Sequence, residues 1–309
     1  MNISTSYLGL NLRSPVIVGA SPLADTVDSA HRLQDAGCGA IVMRSLFEEQ
    51  IYLSDLPSTA EYQLSPDEYL RQLADLKQAL QVPIIASLNG CRPGGWIDIA
   101  RRFENAGADA IELNFYQLAS DPVRSAADVE SELLETLGLV RTSVKLPIAV
   151  KLSPYYTSLA NLLAEMRDVG AAGFVLFNRL YQPEFSSQGE TQQTVRLSDS
   201  GELQSRLRWA ALLSPGLQAS LALSGGIGGA QDIIKCLLAG ADAVQVVSAL
   251  LKSGARYINT LNDGLRHWMG EQGHRQIEDF KGLMAVSGDL NPSDAERSSY
   301  QRMLQLWRV

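Results

Sequence analysis

Eight short runs rich in β-branched residues recur along the chain, each entered through proline or a Gly/Ala/Asp turn. They are PVIVGAS (15–21), AIVMRSL (40–46), PIIASLN (83–89), AIELNF (110–115), PIAVKLS (147–153), GFVLFN (173–178), SLALSGG (220–226) and AVQVVSAL (243–250). Most are separated by segments whose apolar residues fall three and four apart, as over 28–34 and 98–104, the spacing of an amphipathic helix. Several of these segments close on DAGCGA, NAGADA, DVGAAG or LAGADA, where glycine ends the helix and small residues lead into the next strand. Continuous apolar strands alternating with helices mean a parallel sheet covered on both faces. Eight such units predict an α/β fold, a (β/α)8 TIM barrel, formed as a single domain over 1–309.

Charge narrows the function classes. The net charge is −8 and the pI about 5.0, whereas sequence-independent binding of nucleic acid needs a basic face. No apolar run reaches the length of about 18 residues that spans a bilayer. The opening MNISTSYLGLNLRSP lacks the basic and then apolar regions of a secretory signal. A cytoplasmic location, with no nucleic-acid or membrane partner, is the expectation. Cys38, Cys91 and Cys236 are far apart and form no CxxC, so they read as reduced thiols and no metal site is expected. Two Pro/Ser-rich stretches, 54–66 and 182–201, follow the second and sixth runs. Loops after strands gather at the C-terminal face of a barrel, so these are read as lid elements, with idle insertions as the plainer alternative.

Polar groups collect at the strand ends: Ser21, Arg44, Ser45, Asn89, Asn114, Lys151, Asn178 and Ser248. A barrel core favours apolar side chains, so a lysine inside IAVKLS is costly unless it meets an anion or a hydrogen-bonding ring. An outward, snorkelling lysine is the bland alternative. The sharpest local signal is LSGGIGG followed by GADAVQVVSALL. Gly225-Gly226 lets backbone N–H groups approach a phosphate without a Cβ in the way. The start of a helix after the eighth strand completes an anion grip of a kind that recurs in barrels.

On these positions, the stretches LGLNLRSPVIVGAS, SLNG, IELN, VKLSPYY, FN, SGGI, LLAGADAVQVVSAL and IEDFKG resemble, from end to end, the dihydroorotate dehydrogenase family of flavin barrels. The soluble class 1 branch is the nearer one, as no N-terminal amphipathic extension is seen. The resemblance implies one FMN at the C-terminal mouth, with hydride chemistry carried by the flavin. It implies that Ala20 and Ser21 line the isoalloxazine ring. Lys151 stands by the flavin N1 side and stabilises negative charge on the reduced ring. Gly225, Gly226, Val247, Ser248 and Ala249 hold the phosphate. Asn114 and Asn178 contact flavin or substrate, with Arg44, Asn89 and Arg179 on the substrate side. The implied reaction is oxidation of (S)-dihydroorotate to orotate in pyrimidine biosynthesis, in a homodimer. Fumarate, a quinone or an electron-transfer partner protein all stay open as acceptors.

Departures from the family pattern fall at the substrate end. The motif E-L-N-x-S-C-P-N becomes Glu112-Leu113-Asn114-Phe115-Tyr116-Gln117-Leu118-Ala119. The base position is thus Gln117, which takes no proton, and a substrate-binding asparagine becomes Ala119. Arg44 replaces a lysine, Arg179 a small Ser or Thr, and Val247 a glycine. LPSTAEYQ replaces an Asn-rich loop. Tyr116 is a weak candidate for the base, and Cys91 a weaker one. Two arginines suit a small anionic substrate through paired contacts to a carboxylate. A non-catalytic flavin- or phosphate-binding barrel and a Schiff-base lyase built on Lys151 stay as rival readings.

Overall fold

The computed structural model describes residues 1–52, 64–90, 95–179, 181, 184–187, 191–192, 196–286 and 292–306. The loop LPSTAEYQ and the candidate Cys91 therefore lie outside the described residues. Eight parallel strands carry the fold: β1 (Val16–Val18), β2 (Ala40–Val42), β3 (Ile84–Gly90), β4 (Ala110–Phe115), β5 (Ile148–Leu152), β6 (Gly173–Leu176), β7 (Ser220–Ser224) and β8 (Ala243–Val246). Each pairs with its neighbours in chain order. β8 pairs with β1, as in Val244 opposite Val16, and β2 pairs with β3 through Ile41 and Ile84. The sheet closes on itself, and the expected barrel is the observed fold.

Helices α1 (Val27–Asp35), α2 (Pro66–Ala79), α3 (Trp96–Asn105), α4 (Ala126–Ser143), α5 (Leu159–Val169), α6 (Leu203–Leu213) and α7 (Ala230–Leu238) cover the outside. After β8 come a short α8 (Ser248–Ser253), then α9 (Tyr257–Gln272) and α10 (Pro292–Leu306). Helix starts follow the sequence closely. Ser65 accepts from the Glu68 amide at 3.3 Å, Glu68 accepts from the Ser65 amide at 2.8 Å, and Pro66 opens α2. The two hydrogen bonds from Ser65 hold the Glu68 carboxyl below its ordinary value. The AG turns end helices as expected, with Gly107 at φ +92° beyond α3. No helix among the described residues is long and apolar enough to cross a membrane.

Two buried clusters divide the interior. The larger lies between sheet and helices and takes outward strand residues such as Ile41, Leu113, Val150 and Leu223. The smaller fills the bottom of the barrel: Ile17, Ala40, Val42, Ile85, Ala110, Ala149, Val175, Ala222 and Ala243, with Tyr7, Leu8 and Leu12 from an N-terminal hairpin. Five of those inward positions are alanine, which leaves room for the hairpin to plug the barrel. Side chains alternate along a strand, so the next inward layer follows by counting two. It contains Arg44, Ser87, Glu112, Lys151, Phe177, Ser224 and Gln245. An apolar floor thus gives way to a polar layer within one step, and that step fixes where chemistry can occur.

Candidate active site

Above the polar layer lies a cavity of about 360 Å³ at the C-terminal mouth. Its walls include Ala20, Arg44, Asn89, Asn114, Tyr116, Lys151, Asn178, Arg179, Gly225, Val247 and Ser248. These eleven positions, from all eight strand ends, are brought together from the sequence-derived set. Four lining side chains are cationic (Arg44, Lys151, Arg179 and Arg196), and none of the described lining residues is a carboxylate. In a chain with net charge −8, that is a local reversal of sign.

Lys151 sits at the base, about a tenth exposed at its side chain. Its Nζ donates to Gln245 Oε1 at 2.8 Å and lies 3.5 Å from Glu112 Oε1. Gln245 Nε2 donates in turn to Glu112 Oε2. Glu112 is fully buried, so the lysine inside IAVKLS has the anion that its burial demanded. Below them the Tyr7 hydroxyl is buried without a hydrogen-bond partner among the described residues. Burial first, then the charges of Glu112 and Asp242, push its phenol well above the ordinary tyrosine value.

The asparagines form the next ring. Asn178 Nδ2 donates to Asn114 Oδ1 and lies 3.4 Å from the carbonyls of Phe115 and Lys151. Tyr116 Oη accepts from the Tyr181 amide at 2.6 Å, which ties the loops after β4 and β6 across the cavity wall. Both arginines expected to meet substrate do line the cavity, yet each already has a carboxylate. Arg44 pairs with Asp25 at 2.5 Å and Arg179 with Glu202 at 3.1 Å. An incoming anion must share or displace those partners.

Gly225 takes φ +94° and Gly226 φ +77°. A Cβ on Gly225 would stand 2.8 Å from Arg206 Nη2. Arg206 is buried, donates from Nε to the Ser224 carbonyl at 2.6 Å, and pairs with Glu202 at 3.1 Å. Burial lowers its guanidinium from the ordinary value, against the raising effect of Glu202. This turn therefore needs glycine both for its backbone and for the cation packed against it. Gly225→Ala is expected to cost about 1–3 kcal/mol through left-handed strain. A thermal melt superimposable on that of the parent protein would contradict this.

Three positions placed on the flavin by resemblance do not line the cavity. The Ser21 hydroxyl turns back to the Gly19 carbonyl at 2.9 Å. Gly226 packs where a Cβ would lie 2.7 Å from the Asp199 carbonyl and the Leu203 amide. Ala249 is buried in the apolar cluster behind the wall. Gln117, at the family's base position, lines a separate cavity of about 270 Å³ with Ala119, Arg124 and Tyr155. Its Oε1 is buried there without a hydrogen-bond partner among the described residues. Conversely, the sequence reading missed Gln245, Phe177, Arg196, Leu197 and Ser198. Ser198 donates to Ser248 Oγ from its amide at 3.0 Å, with the two hydroxyls 2.8 Å apart. The stretch read as a lid after β6 thus supplies wall at its C-terminal end.

No family model matches the chain. Among curated proteins, one from Aeropyrum pernix, provisionally named dihydroorotate dehydrogenase A (fumarate), is 25% identical, covering 91% of this chain and 96% of its own length. The catalytic subunit of dihydroorotate dehydrogenase B (NAD(+)) from Methanothermobacter thermautotrophicus is also 25% identical, over 91% of this chain and 98% of that protein. The chain resembles the dihydroorotate dehydrogenases along most of its length. It is similar as well to the NAD-dependent dihydropyrimidine dehydrogenase subunit PreA of Escherichia coli K12, at 24% identity over 96% of this chain and 80% of that protein. A dihydroorotate-dehydrogenase-like barrel is thus common ground, and the relatives' names divide over the pyrimidine acted on.

Proposed function

We propose that the chain is an FMN-dependent oxidoreductase that acts on a small anionic substrate other than dihydroorotate. The observation that carries this reading is the cation-lined cavity with Lys151 at its base, in a barrel similar to named dehydrogenases. The residues present fit the cofactor. Its volume lies in the range of small-molecule sites. Lys151 offers an ammonium, and Asn114 and Asn178 offer amides. Gly225, Ser248 and Arg196 all line the cavity and offer a backbone at positive φ, a hydroxyl and a positive charge for a phosphate. The bound FMN would supply hydride acceptance. The chain's own part is to hold the ring, to set charge beside it through Lys151, and to orient the substrate with Arg44 and Arg179. The names of relatives as subunits support an electron-transfer partner, and the family resemblance supports a homodimer.

The test is direct. Denaturing the purified protein is expected to release noncovalent FMN near one per chain. Release of none, with intrinsic fluorescence unmoved by added FMN, would end this reading. For anion recognition, small carboxylates including orotate and fumarate are titrated against the flavin absorbance. Arg179→Ala is expected to weaken the tightest of them about tenfold, the worth of one charge-assisted contact, with FMN retained. Unchanged affinity in both Arg179→Ala and Arg44→Ala would remove the arginines from the site. The Schiff-base alternative is disfavoured because Lys151 Nζ is committed as a donor to Gln245 beside a buried carboxylate. Borohydride with a keto acid is expected to leave no adduct.

A further inference from the structure

We infer that Gln245 is a positioning residue, whose amide stands between Glu112 and Lys151 and keeps the lysine ammonium directed to the cavity rather than collapsed onto the buried carboxylate. The inference rests on the flavin reading above and concerns residues that the reading leaves unexplained.

The chemistry of the three groups fixes how the amide lies. Lys151 has donors only, and an ionised Glu112 has acceptors only. Gln245 must therefore turn its oxygen to the lysine and its nitrogen to the glutamate, which is the arrangement observed. An amide of this length supplies both a donor and an acceptor without carrying charge. With Gln245 in place, the direct Lys151–Glu112 approach is only 3.5 Å, longer than the roughly 2.7–2.9 Å of a good charge-assisted bond. The ammonium has three N–H groups. One goes to Gln245 and one leans on Glu112. Lys151 also lines the cavity, as does Gln245, so the third is available there.

The consequence is electrostatic. A lysine bonded tightly to a buried carboxylate presents a nearly neutral pair to a ligand above it. A lysine held off by an amide presents a cation, and inside a protein that charge is weakly screened. A flavin gains negative charge on reduction, so the held-off cation favours its reduced form. The Gln245 amide then sets how strongly reduction is favoured.

Three variants of the FMN-loaded full chain test this, read by spectroelectrochemical titration of the bound flavin. Gln245→Met keeps the length but loses both hydrogen bonds, so Lys151 settles on Glu112. The ratio of reduced- to oxidised-flavin affinity is expected to fall about tenfold, a drop of about 30 mV for a two-electron couple. Gln245→Glu, which keeps the shape and adds a carboxylate, is expected to lower it further. Glu112→Gln removes the buried negative charge and is expected to raise it. A purely structural role moves all three variants the same way, or none of them. Potentials within about 5 mV of the parent, a shift of under twofold in that ratio, or a rise in Gln245→Glu, would overturn the inference.

The two readings fail separately. If the parent protein carries no FMN, the functional proposal falls, and the positioning role is read on Lys151 itself. Its ¹⁵Nζ resonance, assigned through its loss in Lys151→Arg, is expected to shift in Gln245→Glu and Gln245→Met. An unmoved resonance in a folded variant would overturn the inference there as well.

Discussion

Lys151→Met is expected to lose the flavin and to lower stability by about 3–5 kcal/mol, the usual cost of removing one partner from a buried ion pair. Glu112 is fully buried, and its hydrogen-bond partners are the Lys151 ammonium and the Gln245 amide. With methionine at 151 the carboxylate keeps one neutral donor and no cation. The measure is the urea midpoint at unchanged slope, so that the difference reports on the native state. The double variant Lys151→Met with Glu112→Gln removes the stranded charge. It is expected to recover most of the lost stability and none of the flavin. This separates two roles that one substitution confounds: a fold that needs charge balance, and a cofactor that needs a cation. A single variant unfolding at the parental midpoint would show that the pair is solvated in a way its burial does not convey.

The same residues show how far the sequence could be read. Inward positions run Ala110, Glu112, Asn114 on β4, Ala149, Lys151 on β5, and Ala243, Gln245 on β8 with Val247 just beyond its end, each two apart. The apolar floor, the polar layer and the rim are therefore legible from strand periodicity once the barrel is recognised. Lys151 stands out because an ionisable group in an apolar strand needs a partner. Gln245 carries a weaker form of the same signal in AVQVV, because a neutral amide costs less to bury than a charge. Arg196, Leu197 and Ser198 could not be found this way. They return to the cavity from the loop after β6, where no periodicity tells which residues turn inward. Gln117 marks the other limit. Counting along the motif reaches its position, but beyond Phe115 the strand has ended, and loop backbone decides which cavity a side chain enters. The arginine partners Asp25 and Glu202 come from outside the strands and were likewise beyond reach.

Dihydroorotate itself is expected to reduce the bound flavin at least about 10²-fold more slowly than it does in a protein with a positioned base, given that such a base contributes typically 10²–10⁴-fold. Removing the C5 proton needs an acceptor within hydrogen-bond reach of the substrate. Gln117 has no usable proton chemistry and turns into the neighbouring cavity with Ala119, Arg124 and Tyr155. Tyr116 does line the site, but its oxygen already accepts the Tyr181 amide at 2.6 Å. That bond fixes the phenol as part of the wall. Ala119, where the family has an asparagine, also faces the second cavity, so an orienting amide is missing along with the base. Gln117→Cys is accordingly expected to restore no turnover, since the new thiol would enter the wrong cavity. A Tyr116→Phe variant is expected to loosen the loop contact without a large loss of reduction rate by whichever anion proves to be the substrate. Anaerobic stopped-flow mixing with dihydroorotate decides the matter through bleaching of the flavin band. Bleaching at the rate of an intact family member, or restored turnover in Gln117→Cys, would mean that these loops rearrange around the pyrimidine and bring a base over the ring.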